Sequence, residues 1–315
     1  MDGGMELCVM IEGQEDVTWP QWQAIAASCE EHGVPALFRS DHYLPLGGHT
    51  EREVLDAWGT VCALAATTTR LRLGTLVSPA TFRHPSVLAK LAVTADHVSA
   101  GRVELGLGAG WHEQEHAAYG FGFGPVRERM SVFAEQLEII RGLWGPDAFR
   151  FEGRHYRVGP VDARPKPVQQ PALPLIVGGA AGPRSAALAA RFADEYNTAF
   201  ATAGEARERR AAVAAAWREA GRDEGSLRFS VMTGCVIGRE RSDVEERTRA
   251  IGARRDDEAF EPPASWIAGT LDEASEQLRA LASSGVDRVM LQLLLHEDVE
   301  QIELIGRDLA GAAAR

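Results

Sequence analysis

The feature that most restricts the fold of this 315-residue chain is a repeated alternation of short apolar runs with longer amphipathic stretches. Nearly continuous apolar runs are expected of parallel strands whose two faces are both covered by helices. Eight such strand–helix units in a chain of this length predict an α/β fold, the (β/α)8 or TIM barrel, formed by a single domain over residues 1–315. The eight predicted strands are 6–11, 35–38, 71–77, 102–108, 173–179, 195–200, 228–238 and 287–295.

Two segments interrupt this alternation and are interpreted as insertions. Residues 146–172 contain a predicted hairpin around Gly153 and then a proline-rich extended stretch. Residues 254–270 carry no clear strand or helix pattern. In a TIM barrel the functional side chains are expected in the loops that follow the strands, so candidate sites are sought there.

Charge and cysteine usage narrow the classes of partner. The formal net charge is −12, with 33 Lys and Arg against 45 Asp and Glu, so neither nucleic acid nor an anionic membrane is expected as a partner. The four cysteines are far apart, which predicts reduced and mostly buried thiols. No signal peptide and no apolar run of about 20 residues is visible, so a cytoplasmic location is expected.

Residues 112–116 read His-Glu-Gln-Glu-His, the spacing of zinc hydrolases, in which two histidines on one helix bind the metal. Gly110 and Gly120 limit the helix here to about ten residues, and no third ligand follows at a useful spacing. We therefore predict no metal. The alternative interpretation is a solvated helix start, in which Glu113 and Glu115 favour the positive end of the helix dipole.

Two glycine-rich turns are candidate ligand contacts. The dinucleotide fingerprint Gly-x-Gly-x-x-Gly fails at Trp111, so the segment 106–110 indicates either the close approach of a flat ligand or a tight turn. In "IVGGAAGPRS" (176–185) a glycine pair precedes a helix that starts near Pro183. A helix start with free N–H groups favours an anion, so this turn is either a phosphate site or an ordinary connection. Its candidate phosphate contacts are Gly178, Gly179 and Ala180, with Arg184 as possible help.

The loop after the second predicted strand carries a titratable pair, Asp41 and His42. A histidine suits proton transfer near neutral pH, and a carboxylate can orient it or hold a polar edge of a ligand. Because Asp-His pairs are also common in loops without a function, these residues alone leave the choice open.

Four stretches taken together resemble the luciferase-like flavin and deazaflavin oxidoreductases. They are "SDHYLP" (40–45), the segment from "LGTLVSPATFRHPS" through "LGLGAGWHEQEHAAYGFGF" (73–123), "RMSVFAEQLEIIRGLW" (129–144) and "PLIVGG" (174–179). The resemblance implies a TIM barrel, usually dimeric, with a tricyclic cofactor at the carboxyl ends of the strands. An Asp-His pair after the second strand is typical of members that use the deazaflavin coenzyme F420. The resemblance thus implies that Asp41 contacts the polar edge of the ring and that His42 is the proton donor or acceptor.

The same resemblance assigns further residues. A non-proline cis peptide is expected at Leu76–Val77, beneath one face of the ring. Gly108, Ala109 and Gly110 match the loop that passes near the ring, and Gly178, Gly179 and Ala180 match a phosphate contact. Sugar-phosphate dehydrogenases of the family have an acidic residue where this chain has Trp111, so a sugar phosphate is not expected as substrate. Trp111 is either a substrate contact, together with Tyr43, or a packing residue.

The sequence therefore predicts an F420-dependent oxidoreductase that transfers a hydride between the deazaflavin and a small organic substrate. The alternative is a monooxygenase that uses reduced FMN and molecular oxygen. A third possibility is a cofactor-binding protein without catalysis. A homodimer is expected, with no macromolecular partner beyond the second copy.

Overall fold

The computed structural model describes residues 4–46 and 49–311, and its centre is a closed barrel of parallel strands. The neighbours around the barrel are β1, β2, β3, β5, β8, β9, β10 and β12, and β12 pairs with β1 to close it. This confirms the predicted (β/α)8 fold. The strands of the whole molecule are β1 (Glu6–Ile11), β2 (Ala36–Arg39), β3 (Arg72–Thr75), β4 (Ser78–Pro79), β5 (Val103–Gly108), β6 (Phe149–Glu152), β7 (Arg157–Val161), β8 (Leu175–Gly178), β9 (Glu195–Ala199), β10 (Arg228–Gly238), β11 (Ile267–Thr270) and β12 (Arg288–Leu293).

Helices surround the barrel and bury its outer face. The sequence pattern over residues 51–68 predicts a helix, but in the structure this helix begins only at Ala57, because the Asp56 side chain accepts a hydrogen bond from Gly59 N (2.7 Å) and so caps it there. The helices are α1 (Trp19–Glu31), α2 (Ala57–Thr67), α3 (Pro85–Val98), α4 (Glu113–Tyr119), α5 (Val126–Trp144), α6 (Pro183–Phe192), α7 (Ala203–Glu219), α8 (Arg241–Arg254), α9 (Leu271–Ser283) and α10 (Glu300–Glu303), the last continuing as a π-helical turn over Leu304–Leu309.

Side chains alternate between the barrel interior and the helix layer, as the period of a strand requires. In β1, Leu7 and Val9 point outward into the large core beneath the helices. Cys8 and Met10 point inward, where they join a separate cluster that includes Met290 of β12. Because both faces are covered, the strands are buried at nearly every position and are mostly apolar, which makes them recognisable in the sequence.

A buried ion cluster fills the lower end of the barrel, at the start of the strands. Arg288 is fully buried and binds Glu104 with two hydrogen bonds of 2.7 and 3.2 Å. Arg72 adds a bond of 2.5 Å to the same carboxylate, and Glu6 and Glu195 also lie within ion-pair distance of Arg288. Among the described residues, these paired charged side chains fill this end of the barrel.

The two predicted insertions have different structures. Residues 146–172 contain the expected antiparallel hairpin, formed by β6 and β7. Residues 254–270 end in β11, a strand that the sequence did not reveal; it pairs in parallel with the upper half of β10. This pairing is possible because β10 is eleven residues long and extends beyond the barrel.

Two composition-based expectations can be compared with the structure. Cys8, Cys29 and Cys235 are buried, Cys62 is partly buried, and none of the four is in a disulfide. Within residues 4–46 and 49–311, no helix has both the length and the apolar character needed to cross a membrane.

Candidate functional site

A cavity of about 1320 Å³ opens at the carboxyl ends of the barrel strands. Ligand sites for a single drug-sized molecule are typically about 300–1,000 Å³, so there is room for a cofactor and a second ligand. Most of the residues that the sequence singled out line this cavity. They are His42, Leu76, Val77, Gly108, Ala109, Gly110, Trp111, Gly178, Gly179, Ala180 and Arg184.

Asp41 and Tyr43 do not line the cavity. The Asp41 carboxylate is buried beneath it, where Oδ2 accepts hydrogen bonds from Ser78 Oγ (2.5 Å) and Arg83 Nη1 (2.6 Å). The Tyr43 hydroxyl accepts from Arg83 and donates to Asp56 (2.8 Å). The structure therefore gives both side chains polar protein partners, and ligand contact by either one stays a prediction. Asp41 Oδ1 is buried and has no hydrogen-bond partner among the described residues.

Val77 forms one wall of the cavity and explains the glycines around it. The peptide bond between Leu76 and Val77 is cis, as the resemblance implied. The bulge places Val77 against the neighbouring strands, where a Cβ on Gly108 would lie 2.8 Å from Val77 Cγ2 and one on Gly178 would lie 3.1 Å from Val77 Cγ1. Bare backbone at these two positions lets the Val77 side chain pack against the strand ends, where it forms the wall of the cavity.

His42 forms a carboxylate–histidine pair with Glu115, which the sequence did not indicate as a functional residue. His42 Nδ1 lies 2.8 Å from Glu115 Oε2. Glu115 is fully buried, and its Oε1 accepts hydrogen bonds from the backbone N–H groups of Tyr43 and Leu44 (3.0 Å for Leu44). The interpretation of Glu115 as a solvated acidic residue is therefore wrong. The first turn of the short helix α4 lies directly over the loop that carries His42, and the Glu115 side chain is buried against that loop.

The pair stabilises the charged forms of both groups. Burial lowers the pKa of His42, but the hydrogen bond and charge of Glu115, with smaller contributions from Glu12 and Asp41, outweigh it and raise that pKa above its ordinary value. Burial raises the pKa of Glu115, but the hydrogen bond and charge of His42 and the two backbone donors outweigh burial and lower that pKa below its ordinary value. Since a carboxylate can only accept, Nδ1 of His42 carries the hydrogen and Nε2 remains for a ligand in the cavity.

The two histidines of the His-Glu-x-x-His pattern do not act as a pair. His116 Nδ1 donates to the backbone oxygen of His112 (2.7 Å), and its Nε2 lies 2.6 Å from Thr81 Oγ1. Both nitrogens of His116 therefore have protein partners. In the described part of the chain, the group with metal-ligand character is His42, His112 and Glu115, whose ligand atoms lie within 4.8 Å of one another. The His42–Glu115 hydrogen bond accounts for its closest contact, and the absence of a metal stays a prediction.

Trp111 stands at the cavity rim beside His42. Its indole is 63% exposed, stacks on the His112 ring (centroids 5.0 Å apart, 19° between planes) and meets the His42 ring edge-on at 5.6 Å. An exposed indole at a cavity mouth suits contact with an apolar ligand. Packing alone does not explain its position, since most of the ring is left in solvent.

The turn between β8 and α6 has the properties of an anion site. Gly179 N–H donates to Asn197 O and Ala181 N–H to the Tyr196 hydroxyl, so these two donors are used within the protein. The backbone N–H of Ala180 has no such partner in the described residues, and α6 starts next to it without a side-chain cap. The positive end of the helix dipole and an open donor favour a phosphate here.

Arg209 of α7 lines the same cavity, and nothing in the sequence indicated it as a functional residue. Its Nη1 donates to Thr198 Oγ1 (2.7 Å) and to Ala199 O (3.1 Å). The guanidinium is thus held at the end of β9, next to the strand that ends in Gly178. Its positive charge lies on the side of the cavity where the anion turn is found.

Similar proteins were found by sequence and by structure. The sequence model of the luciferase-like monooxygenase family matches residues 7–312. The F420-dependent glucose-6-phosphate dehydrogenase of Nocardia farcinica is 29% identical over 91% of this chain and 91% of its own length. Uncharacterized proteins of Mycobacterium tuberculosis and Mycobacterium bovis are 38% identical, but these matches cover 46% of this chain and only about half the length of those relatives (50%).

Solved structures of an F420-dependent enzyme and of an FMN complex share the fold. The coenzyme F420-dependent tetrahydromethanopterin reductase of Methanopyrus kandleri superposes with a TM-score of 0.81 at 18% identity, covering 97% of this chain and 99% of that one. The oxygenating constituent of the 3,6-diketocamphane monooxygenase of Pseudomonas putida, in complex with FMN, gives 0.75 at 17% identity and 98% coverage of each chain. The match to the family model over almost the whole sequence decides the assignment: the chain belongs to the luciferase-like monooxygenase family of oxidoreductases.

Proposed function

We propose that this protein is a coenzyme F420-dependent oxidoreductase that transfers a hydride between the deazaflavin and a small organic substrate. The observation that carries the proposal is the His42–Glu115 pair, in which Glu115 fixes the ring by Nδ1 and leaves Nε2 at the cavity. A relative of nearly full-length match is named as F420-dependent, which supports this choice of cofactor.

The described residues fit a flat phosphorylated cofactor. A Cβ would collide with Val77 at Gly108 and crowd it at Gly178, so the two glycines allow Val77 to present an apolar wall on which a flat ring can lie. The Ala180 turn and Arg209 offer a donor and a positive charge for a phosphate group. Five arginines but only two glutamates line the described cavity of a chain whose net charge is −12, so the cavity attracts anions although the protein as a whole does not.

The chain's own groups would then do three things. His42, kept protonated by Glu115, gives a proton to the substrate atom next to the one that receives the hydride, or takes it back in the reverse direction. Val77 supports the ring of the cofactor, and Trp111 covers the substrate side and excludes water. When bound, the reduced deazaflavin supplies the hydride.

The second candidate is a reduced-FMN monooxygenase. The anion turn would suit a single phosphate, and the wall at Val77 would suit a flat ring. FMN has both of these groups. The structurally similar monooxygenase of Pseudomonas putida was solved in complex with FMN, and this observation favours the alternative. A protonated histidine that is oriented by a carboxylate is more useful for proton transfer coupled to hydride transfer than for activating oxygen. We therefore rank the monooxygenase function second.

Two measurements test the proposal. Trp111 and Trp266 line the cavity, so quenching of tryptophan fluorescence reports binding in titrations with F420 and with FMN. We expect F420 to bind at least about tenfold more tightly, a difference of about 1.4 kcal/mol. Equal or tighter binding of FMN would reverse the ranking.

The role of His42 is tested with reduced F420 and a panel of unsaturated and carbonyl compounds. His42→Ala should lower the rate of cofactor oxidation by about 100-fold or more and leave the dissociation constant of F420 unchanged. His97→Ala is the matched control, because His97 is exposed on α3 and away from the cavity. An unchanged rate in His42→Ala would show that this histidine does not transfer the proton.

A further inference from the structure

A second group of cationic side chains lines the cavity at a place distinct from the anion turn. Arg52 follows β2, and Arg254 and Arg255 stand at the end of α8; we call these three residues the arginine rim. Arg52 Nη2 donates to the backbone oxygen of Arg254 (2.6 Å), so the loops that carry them are joined across the cavity mouth. His49 is adjacent and also lines the cavity.

Two members of the rim are paired with carboxylates and the third is not. Arg52 forms an ion pair with Glu15, and Arg254 lies 2.9 Å from Glu297. Arg255 makes no ion pair with any residue in 4–46 or 49–311; its guanidinium instead lies 5.4 Å from the centre of the Phe260 ring. An arginine held over an aromatic ring keeps its planar donors for a carboxylate.

Next to the rim, the cavity wall is apolar and aromatic. Phe260 and Trp266 pack with their ring centres 5.5 Å apart, and Trp266 belongs to a buried cluster with Ile251. Leu294, at the end of β12, packs against the same cluster and lines the cavity. We call Ile251, Phe260, Trp266 and Leu294 the apolar wall. A ligand here would lay a hydrophobic body on the wall with its charged end at the rim.

The rim and the anion turn are formed by different segments of the chain. The turn follows β8 and Arg209 lies at the end of β9, whereas Arg254 and Arg255 come after β10, which pairs with β9, and Arg52 follows β2 on the far side of β12 and β1. Among the described residues no hydrogen bond or ion pair joins the rim to the turn or to Arg209, so a cofactor with its phosphate at the turn leaves the rim to a second ligand. The cavity volume of about 1320 Å³ accommodates both.

We propose that the arginine rim and the apolar wall form the substrate subsite, and that it selects organic carboxylates with an aromatic or otherwise apolar body. The proposal rests on the proposed function, since it takes the other half of the cavity to hold the cofactor. Arg255 binds the carboxylate, Phe260 and Trp266 contact the body, and Trp111 covers it from the side of His42. Burial of the apolar part and a charge-assisted hydrogen bond to the anionic end act together.

Binding of matched acids and amides tests this subsite directly. The probes are trans-cinnamate with cinnamamide and 2-naphthoate with 2-naphthamide, titrated by calorimetry into the protein with and without bound F420. Each acid should bind at least about tenfold more tightly than its amide, because a hydrogen bond to a charged group contributes about 1.5–3 kcal/mol. Equal affinities within both pairs would overturn the proposal.

The variant Arg255→Met should remove this preference, bringing each acid to the affinity of its amide while the amide is unaffected. Arg249→Met is the matched control, because Arg249 is an exposed arginine on the same helix that does not line the cavity. An undiminished acid preference in Arg255→Met would overturn the proposal, as would tighter binding of glucose 6-phosphate than of either acid. Failure of the proposed function would appear separately, as a lack of F420 binding in protein that still distinguishes acids from amides.

Discussion

His42 Nδ1 and Glu115 Oε2 lie 2.8 Å apart although 73 residues separate them in the sequence. His42 is in the loop that follows β2, and Glu115 is on α4, which follows β5; in the barrel only β3 lies between these two strands. The fold therefore assembles an oriented, protonatable imidazole from a loop and a short helix. In this arrangement Glu115 positions His42 and tunes its pKa, and does not itself face the cavity.

Replacing Glu115 by glutamine tests this positioning role. The amide keeps the shape of the side chain but removes the negative charge that holds His42 protonated. We expect kcat for cofactor oxidation to fall by roughly 10- to 100-fold, less than the effect of losing the histidine itself. The dissociation constant of F420 should change little, because Glu115 does not line the cavity.

Glu113→Gln is the control for this variant. Glu113 lies two residues away on the same helix turn but is exposed. It should behave like the unmodified protein in both rate and affinity. If the two glutamine variants had the same rate, the contact between Glu115 and His42 would be structural only.

The dependence of rate on pH gives a second, independent readout. For substrate reduction His42 must be protonated, so kcat/KM should fall as pH rises through its pKa, which lies above the ordinary 6.5 because of Glu115, Glu12 and Asp41. In Glu115→Gln the lowering effect of burial on the pKa of His42 is less opposed, so the fall should move to lower pH. A pH profile measured for both proteins checks the direction of the shift. If the pH profile of Glu115→Gln did not move, Glu115 would not control the pKa of the group that limits the rate.

The barrel itself could be predicted from the sequence because it rests on local patterns. Strands with both faces covered are mostly apolar, and Pro85 marks a helix start. The missed strand β11 has a different origin. Ile267 and Gly269 are buried but Ala268 is only partly so, and its partner is the overhang of β10, a tertiary relationship that no local pattern records.

The site was predictable only in part, for the same reason. Residues at or just after the ends of strands, such as Gly108 and His42, could be identified because the barrel places all such positions at one face. Glu115 and Arg209 could not, because each acts through a helix side chain that contacts another element, the loop of His42 for Glu115 and the end of β9 for Arg209. The burial of Asp41 under Arg83 likewise depends on a contact across 42 residues.

Adding a methyl group at Gly108 should impair cofactor binding specifically. The new Cβ would lie 2.8 Å from Val77 Cγ2 and force that side chain toward the cavity. Gly108→Ala should weaken F420 binding by about tenfold or more and lower the free energy of unfolding by about 1–3 kcal/mol. Gly122→Ala, where a Cβ would meet nothing within 4 Å, should change neither quantity. Unaltered F420 affinity in Gly108→Ala would mean that the ring does not lie against this backbone.

The anion turn is tested by Arg209→Met. If Arg209 contacts a phosphate, F420 should bind roughly 10- to 100-fold more weakly, and the remaining affinity should depend less on salt concentration. The same substitution at Arg207, an exposed residue two positions earlier on α7, should have no effect. Equal affinities of the two variants, measured by fluorescence titration, would place the phosphate elsewhere.

The ion cluster at the lower end of the barrel should contribute to stability but not to ligand binding. Glu104 accepts two hydrogen bonds from Arg288 and one from Arg72, so a glutamine there would turn an amide N–H₂ group toward guanidinium donors. Because Glu195 and Glu6 remain near Arg288, we expect Glu104→Gln to cost about 3 kcal/mol, the lower end for breaking a buried pair.

Urea unfolding followed by circular dichroism measures this cost, with Glu152→Gln on the exposed hairpin as the control. The control should stay within about 0.5 kcal/mol of the unmodified protein. The F420 affinity of Glu104→Gln should be unchanged, since Glu104 does not line the cavity. If Glu104→Gln lost as much F420 affinity as Gly108→Ala, the two ends of the barrel would be coupled through the packed side chains between them. A free energy of unfolding equal to that of the control would mean instead that Glu195 and Glu6 compensate Arg288 fully without Glu104.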